Sequence, residues 1–466
     1  MKTFLESIHG GRPRGPGRRG RTAARLGGGL VAASVALLAG ASYSQASTYL
    51  VYTSSISAMT LNANDGYCSL AEAVASANAG HSMYNCQEIF PGGDQQIQIL
   101  EASGKSFSAY HFRITSLTID SPNRWIDIFS PSGSRFFIDS TGASGFVVKA
   151  GTSLGLTSGN FTFTGTSGGR HVENYGNVNL SDATFANGNV TSHPNGYGGA
   201  IVNRGTMTTF SVVFTNNRAK RGGAIYNDNG TIEDLNTTTV SGNSATMAGG
   251  GIYNNSTVLD ANGDPKGAIR GRDIIVTSNS ARAGGGVFNG GLMDVRSTSI
   301  TFNTATNSGS SGEACKAGVT NSCDGHGGGV LTLSRMNMPA ILRLHYSSVL
   351  SDNKALSGFG GGTYNTGQML VSSATVARNQ AKDGAAFYVS TIASGQSQYC
   401  EMTTNTGPSS IVDNKAVPQL TSTFSIVTTG AVPDASCIFR SVPASGNSDP
   451  KCGPNSVHPG DPCPQP

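Results

Sequence analysis

The sequence predicts an all-β fold, a right-handed parallel β-helix, with a short helix capping its N-terminal end. Three observations lead there: many potential turns with few charges, a glycine motif with a basic period near 24 residues, and an asparagine motif interleaved with it. Of 466 residues, 63 are glycine and 12% are charged, against roughly 7% glycine and about 25% charged residues in an average soluble chain. Such a chain makes many corners and carries little surface charge, which suits one long repeat array.

The glycine motif is Gly198-Gly199-Ala200-Ile201-Val202-Asn203. It returns at Gly222, Gly249, Gly284 and Gly360, closing on Asn227, Asn254, Asn289 and Asn365, with degenerate copies at Gly327 and Asp383. The second motif is an apolar residue, two variable residues, Asn, one variable residue and Ala. It occurs as Phe214/Asn217/Ala219, Val240/Asn243/Ala245, Val276/Asn279/Ala281, Ile300/Asn303/Ala305, Leu350/Asn353/Ala355, Val376/Asn379/Ala381 and Ile411/Asn414/Ala416. Between the motifs lie stretches such as Met207 to Phe214, where Val, Ile, Leu, Phe and Thr alternate as in strands. A unit this short cannot bury its own apolar face, so similar units must stack, with neighbouring coils about 4.8 Å apart. Glycine supplies positive φ at corners. Asparagine serves at turns, and its amide donates and accepts along a stack. Leucine-rich repeats share this period, but their L-x-x-L-x-L consensus is missing.

Residues 1–46 read as an export signal. Arg12, Arg14, Arg18, Arg19, Arg21 and Arg25 precede an apolar run from Leu26 to Ala41, and Ser44-Gln45-Ala46 offers a cleavage site. The Arg18-Arg19 pair lacks the apolar residues that usually follow a twin arginine. Four glycines and a short span argue against a membrane anchor. Cleavage after Ala46 removes seven Lys/Arg and one acid, leaving 24 basic and 26 acidic side chains and a net charge near −2. A nucleic-acid partner, which needs concentrated basic charge, is not expected. The remaining chain divides into an N-terminal cap at 47–110, repeats at 111–416 and a Cys/Pro-containing cap or tail at 417–466. All eight cysteines follow the signal, an even number that suits disulfides in an exported chain. Closeness in sequence favours Cys68–Cys86, Cys315–Cys323, Cys400–Cys437 and Cys452–Cys463 among 105 possible pairings. Zinc half-sites with C-x₂₋₄-C spacing do not occur.

At the cap, Ser69-Leu70-Ala71-Glu72 has capping-box spacing, Leu70, Ala73, Val74 and Ala77 share one helical face, and Gly80 can end the helix. The run Cys68-Ser69-Leu70-Ala71-Glu72-Ala73-Val74, followed by Ala77-Asn78, resembles the CSLREA domain found near the start of many secreted bacterial β-helix proteins, with Ala71 in place of the motif's arginine. The Gly-Gly-Ala-Ile and Phe-x-x-Asn units are similar to those of polymorphic outer membrane proteins. Together the resemblances cover roughly residues 48–416. They imply a cell-surface or extracellular protein, often adhesive or structural. Polymorphic outer membrane proteins end in an autotransporter β-barrel, and the stretch after Ala416 is too short for one, so secretion is expected over self-anchoring.

Parallel β-helices also carry polysaccharide lyases and hydrolases, so each candidate is weighed on its own residues. Aligning coils on the asparagine motif puts Asp234, Arg270 and Asp294 at one position of three successive coils. That alternation suits a surface ion-pair ladder better than a carboxylate pair for glycoside hydrolysis. Gly325-His326-Gly327 resembles the Gly-His-Gly of polygalacturonases, whose Asn-Thr-Asp, Asp-Asp and Arg-Ile-Lys partners are missing, so His326 reads as a loop histidine. Asp260, Asn262 and Asp264 have the 1-3-5 spacing of a calcium loop, but Pro265 and Gly271 stand where an EF-hand needs Gly and Glu. A polar turn is the better reading, with calcium the one cofactor left open. Serine-nucleophile, P-loop and dinucleotide signatures do not occur. Trp125 is the single tryptophan, so sugar stacking would depend on tyrosines. The expected function is non-catalytic surface interaction or adhesion toward a polysaccharide or cell-surface ligand; the alternative is a polysaccharide lyase or glycoside hydrolase acting on a β-helix face.

Overall fold

The computed structural model describes residues 47–52, 68–88, 94–100, 110–130, 135–140, 144–157, 159–165, 169–306, 323–335, 338–390, 399–403, 410–416, 426–429, 436–440 and 444–445. Among them the strands form four parallel sheets of 13, 12, 7 and 11 strands, and the chain visits the sheets in turn. Each sheet is therefore one face of a right-handed parallel β-helix. A typical coil runs Thr206–Phe210 on face one, Val213–Thr215 on face two, Arg218–Arg221 on face three and Ile225–Asp228 on face four, then returns to face one at Thr231–Asn236. The export segment 1–46, Cys315, Cys452 and Cys463 lie outside the described residues.

Each coil turns through left-handed residues. Ser211, Thr237, Asp273 and Ser297 mark the corner between faces one and two; Asn216, Gly242, Ser278 and Phe302 mark the next. The corner into face four is occupied by glycine at Gly198, Gly222, Gly249, Gly284, Gly327, Gly360 and Gly384. Steric crowding explains the doublet: Gly222 has φ 61°, and a Cβ on Gly223 would run into the carbonyl oxygen of Gly250 in the next coil. The first glycine supplies the turn and the second lets the coils approach.

Inward residues stack in register. Ile201, Ile225, Ile252, Val287 and Val330 form one fully buried column, each side chain contributing roughly 1.5–3 kcal/mol by burial. On face two Phe163, Phe185 and Phe214 stack, with ring centroids 4.7 and 5.3 Å apart. Face three begins, among the described residues, at Arg218–Arg221. Among the described residues the earlier coils place strands on three faces and are filled by Phe136, Phe146, Phe161 and Phe163. The stacked strands also run past the span marked by the motifs, from Ser47–Tyr52, paired with Gln95–Leu100, to Ala444–Ser445. These end coils lack the glycine doublet.

The helix Leu70–Ala79 carries both halves of the capping box, Ser69 Oγ accepting from Glu72 N and Glu72 accepting from Ser69 N, and ends at Gly80 with φ 73°. Leu70, Ala73, Val74 and Ala77 are buried. Asn78 ties the helix to the first coils, its Nδ2 donating to Thr118 O at 2.7 Å and its Oδ1 accepting from Asp120 N at 2.8 Å. The Cys68–Cys86 disulfide closes this cap. Cys323 is disulfide-bonded as well. Cys400 and Cys437 are paired positions of neighbouring strands on face one, a spacing within the Cα range that a disulfide spans. Among the described residues no helix is long and apolar enough to cross a membrane.

Candidate functional site

The repeat's asparagines point inward and build two ladders. Asn217, Asn243, Asn279, Asn303, Asn353, Asn379 and Asn414 form the first, each Nδ2 donating to the next Oδ1 at 2.9–3.0 Å. Each amide also donates to a backbone carbonyl, as Asn279 does to Val240 O, and accepts a backbone N–H, as Asn279 Oδ1 does from Asn243. Asn174, Asn203, Asn227, Asn254 and Asn289 form the second, at 2.7–2.9 Å. These amides satisfy the polar backbone at two corners. They hold the scaffold and are closed to ligands.

The second ladder stops at Thr332, which sits in register between Asn289 and Asn365. Its Oγ1 is buried without a hydrogen-bond partner. Thr332→Asn should bridge the gap and raise stability by roughly 1–2 kcal/mol, read as a higher urea midpoint at unchanged slope; a lower midpoint would mean the coil has no room for the amide.

Outside face four lies a second apolar layer. Tyr197, Tyr226, Tyr253 and Phe288 stack ring on ring at 4.7, 5.1 and 4.2 Å. Arg335 covers them, donating to Tyr253 Oη at 3.2 Å and Asn255 Oδ1 at 2.7 Å. His326 belongs to the same layer: its ring stacks on Tyr364 at 4.9 Å, its Nδ1 accepts from Phe359 N, and burial pushes its pKa down to about 4. The histidine singled out beside the glycine cluster is thus a neutral, packed ring. Along the edge of this face Arg204 bridges Glu173 at 2.9 Å and Asp228 at 3.0 Å; burial pushes the Glu173 carboxyl up, and the Tyr175 hydroxyl with the Arg170 and Arg204 guanidiniums outweighs it and holds the group below its usual range.

The calcium-spaced residues form a hairpin tip. Asp260 Oδ1 accepts from Asn262 N at 2.8 Å and Asp264 N at 3.0 Å, so one carboxylate oxygen caps the turn. Among the described residues no group of three or more His, Cys, Asp or Glu side chains is placed to hold a metal ion.

Face one gathers the remaining candidates. A shallow depression of about 300 Å³ is lined by Glu233, Asp234, Arg270, Arg272, Asp294 and Arg296, with Asn236 and Gly271. Arg270 and Asp294 are in register as the motif alignment requires. Asp234 departs from the flush column: with Glu233 it forms a bulge, two residues against the single Arg270, and its own in-register partner is Thr208. Asp294 ion-pairs with Arg343 at 3.3 Å, completing alternation along the next coil, and lies 3.5 Å from His345 Nε2. The neighbouring column reads Asn236, Arg272, Arg296, His345. It sits beside an exposed aromatic that the motifs did not reveal, Tyr346, whose ring lies 5.6 Å from the Arg296 guanidinium.

Residues 211–228 match the model of the Chlamydia polymorphic membrane protein repeat. That stretch holds one copy of each motif and covers faces two, three and four of a single coil. No curated protein and no solved structure matches the chain. The β-helix therefore carries a repeat similar to that of the Chlamydia polymorphic membrane proteins, with the glycine doublet forming its tight corner and Asn217 and Asn227 its two ladders.

Proposed function

We propose that this chain is an exported β-helix protein that acts without catalysis at or beyond the cell surface, in adhesion or ligand interaction. The observation that carries the reading is the division of labour within the matched repeat. Its Gly, Asn and apolar residues are committed to corners, ladders and core, while the outward side chains of face one differ from coil to coil. A rigid rod with a variable outer face is a binding scaffold, as solenoids in general provide. The export segment at 1–46 and the CSLREA-like cap agree with that setting.

The test is a screen of the secreted chain against cell surfaces and against acidic and neutral polysaccharides, recording binding and the release of unsaturated or reducing ends. Binding without product, by protein whose N-terminus is Ser47, is the expected result. Product formation that survives purification and disappears in Asp234→Asn or His326→Gln would replace this reading with an enzymatic one.

A further inference from the structure

We propose that the depression on face one binds an acidic polysaccharide, with Arg272 and Arg296 holding a uronate carboxylate and Tyr346 providing a stacking platform for a sugar ring. This rests on the surface-interaction reading and names its ligand class.

The first observation is a pair of like charges. Arg272 and Arg296 are directly paired across neighbouring strands and both exposed, an arrangement that ordinarily destabilises a sheet. Neither has an ion-pair partner among the described residues: Asp294, the nearest acid by register, pairs with Arg343 instead. Two adjacent guanidiniums offer parallel N–H donors that match the planar geometry of a carboxylate. An anion between them would relieve their repulsion.

The second observation is an inserted aromatic. Arg296 pairs with His345 and Ser299 with Val349, so the corner after His345 holds one residue more than the corner after Arg296. The extra residue is Tyr346. It is 46% exposed and takes φ 47°, and Ser347 follows at 58°. A tyrosine in the left-handed region costs backbone energy that local packing must offset, and such strain collects at functional positions. Here it sets a half-exposed ring against Arg296, 5.6 Å from that guanidinium, the combination that takes an amphipathic sugar ring on the exposed side and its charge on the other. Glu233, Asp234 and Asp294 line the same depression. They accept hydrogen bonds from hydroxyls, and their charge disfavours a densely sulfated chain while admitting a sparser uronate.

The experiment is titration calorimetry of the full chain with polygalacturonate, with dextran sulfate and neutral dextran as the other arms. Polygalacturonate should bind, with affinity falling as salt rises. The doubly substituted Arg272→Gln, Arg296→Gln chain should bind about tenfold more weakly or worse. Tyr346→Asn, which keeps a residue at ease in the left-handed region, should weaken binding several-fold while leaving most of its salt dependence. All three positions are exposed, so unchanged melting curves would confirm that the variants fold. Polygalacturonate binding untouched by the arginine substitutions, or tighter binding of dextran sulfate, overturns the proposal. Binding to cell surfaces or neutral polymers without any to polygalacturonate overturns it too but leaves the adhesive reading standing, whereas polymer cleavage would sink that reading.

Discussion

Replacing Asn279 by alanine should destabilise the fold by about 4 kcal/mol, since four hydrogen bonds vanish from a dry interior at about 1 kcal/mol each and their partners are left unsatisfied. Asn279 is 1% exposed. Its Oδ1 accepts from both Asn243 N and Asn243 Nδ2, and its Nδ2 donates to Val240 O and Asn303 Oδ1. Alanine leaves a backbone N–H and a carbonyl stranded at the corner between faces two and three. Asn279→Asp is the sharper comparison. It keeps the shape and the acceptor, removes both donors and buries a charge, so it should cost at least as much near neutral pH. Urea denaturation of both variants against the parent measures this. A loss below about 1 kcal/mol for Asn279→Ala would show that water enters the corner and that the ladder is dispensable. Because the ladder crosses seven coils, the damage should spread: hydrogen exchange should rise in the coils of Asn243 and Asn303 as well as in that of Asn279.

What the sequence made legible follows what each residue does physically. The seven asparagines of the second motif are the seven of the first ladder, because a corner that needs an amide in every coil imposes the same letter at every turn. The glycine doublet is legible for the same reason: a neighbouring carbonyl excludes any Cβ at Gly223. Where the requirement is only apolar bulk, the signal fades. The coils built on Phe136, Phe146 and Phe161 carry no repeating letter that differs from an ordinary strand, and the change among the described residues from strands on three faces to strands on four at Arg218 leaves no mark beyond the onset of the motifs. On face one, Arg270 opposite Asp294 followed from motif alignment, whereas the bulge at Glu233 and Asp234 did not. Tyr346 did leave a trace. Val295 and Ile300 are five residues apart, as are Val371 and Val376, while Leu344 and Leu350 are six apart, and that extra residue is the inserted tyrosine.

Acid should weaken the protein well before its carboxylates are titrated, chiefly through two deeply buried histidines, with the half-buried His345 shifted the same way by burial. His171 lies inside the coil, tilted against both Phe163 and Phe185, and His326 lies in the aromatic layer outside face four. Burial pushes both pKa values down to about 4. At His171 the carbonyl of Ala186 can only accept, so Nε2 carries the ring's proton and Nδ1 accepts from the Ser140 hydroxyl. A second proton would therefore land on a nitrogen already accepting a hydrogen bond, in a fully buried site. The unfolded chain has no such barrier and takes up protons near pH 6.5. Above that value neither state holds the extra proton and nothing is lost. As pH falls from about 6.5 toward 4 the unfolded state binds protons that the folded state refuses, so stability declines throughout this window. A shift of this size corresponds to roughly 3 kcal/mol per ring at its limit. Urea midpoints measured between about pH 7 and pH 4.5 should fall steadily. His171→Phe keeps the ring stack, and Ala186 O retains Gly165 N as a donor, so this variant should lose about half of the acid sensitivity. A parent midpoint that stays flat over the window, or a variant as acid-sensitive as the parent, would place the neutral ring of His171 outside the causes of acid unfolding. The expected outcome places acid sensitivity at two rings set among the amide ladders, because the Asn side chains of those ladders do not titrate and the buried histidines do.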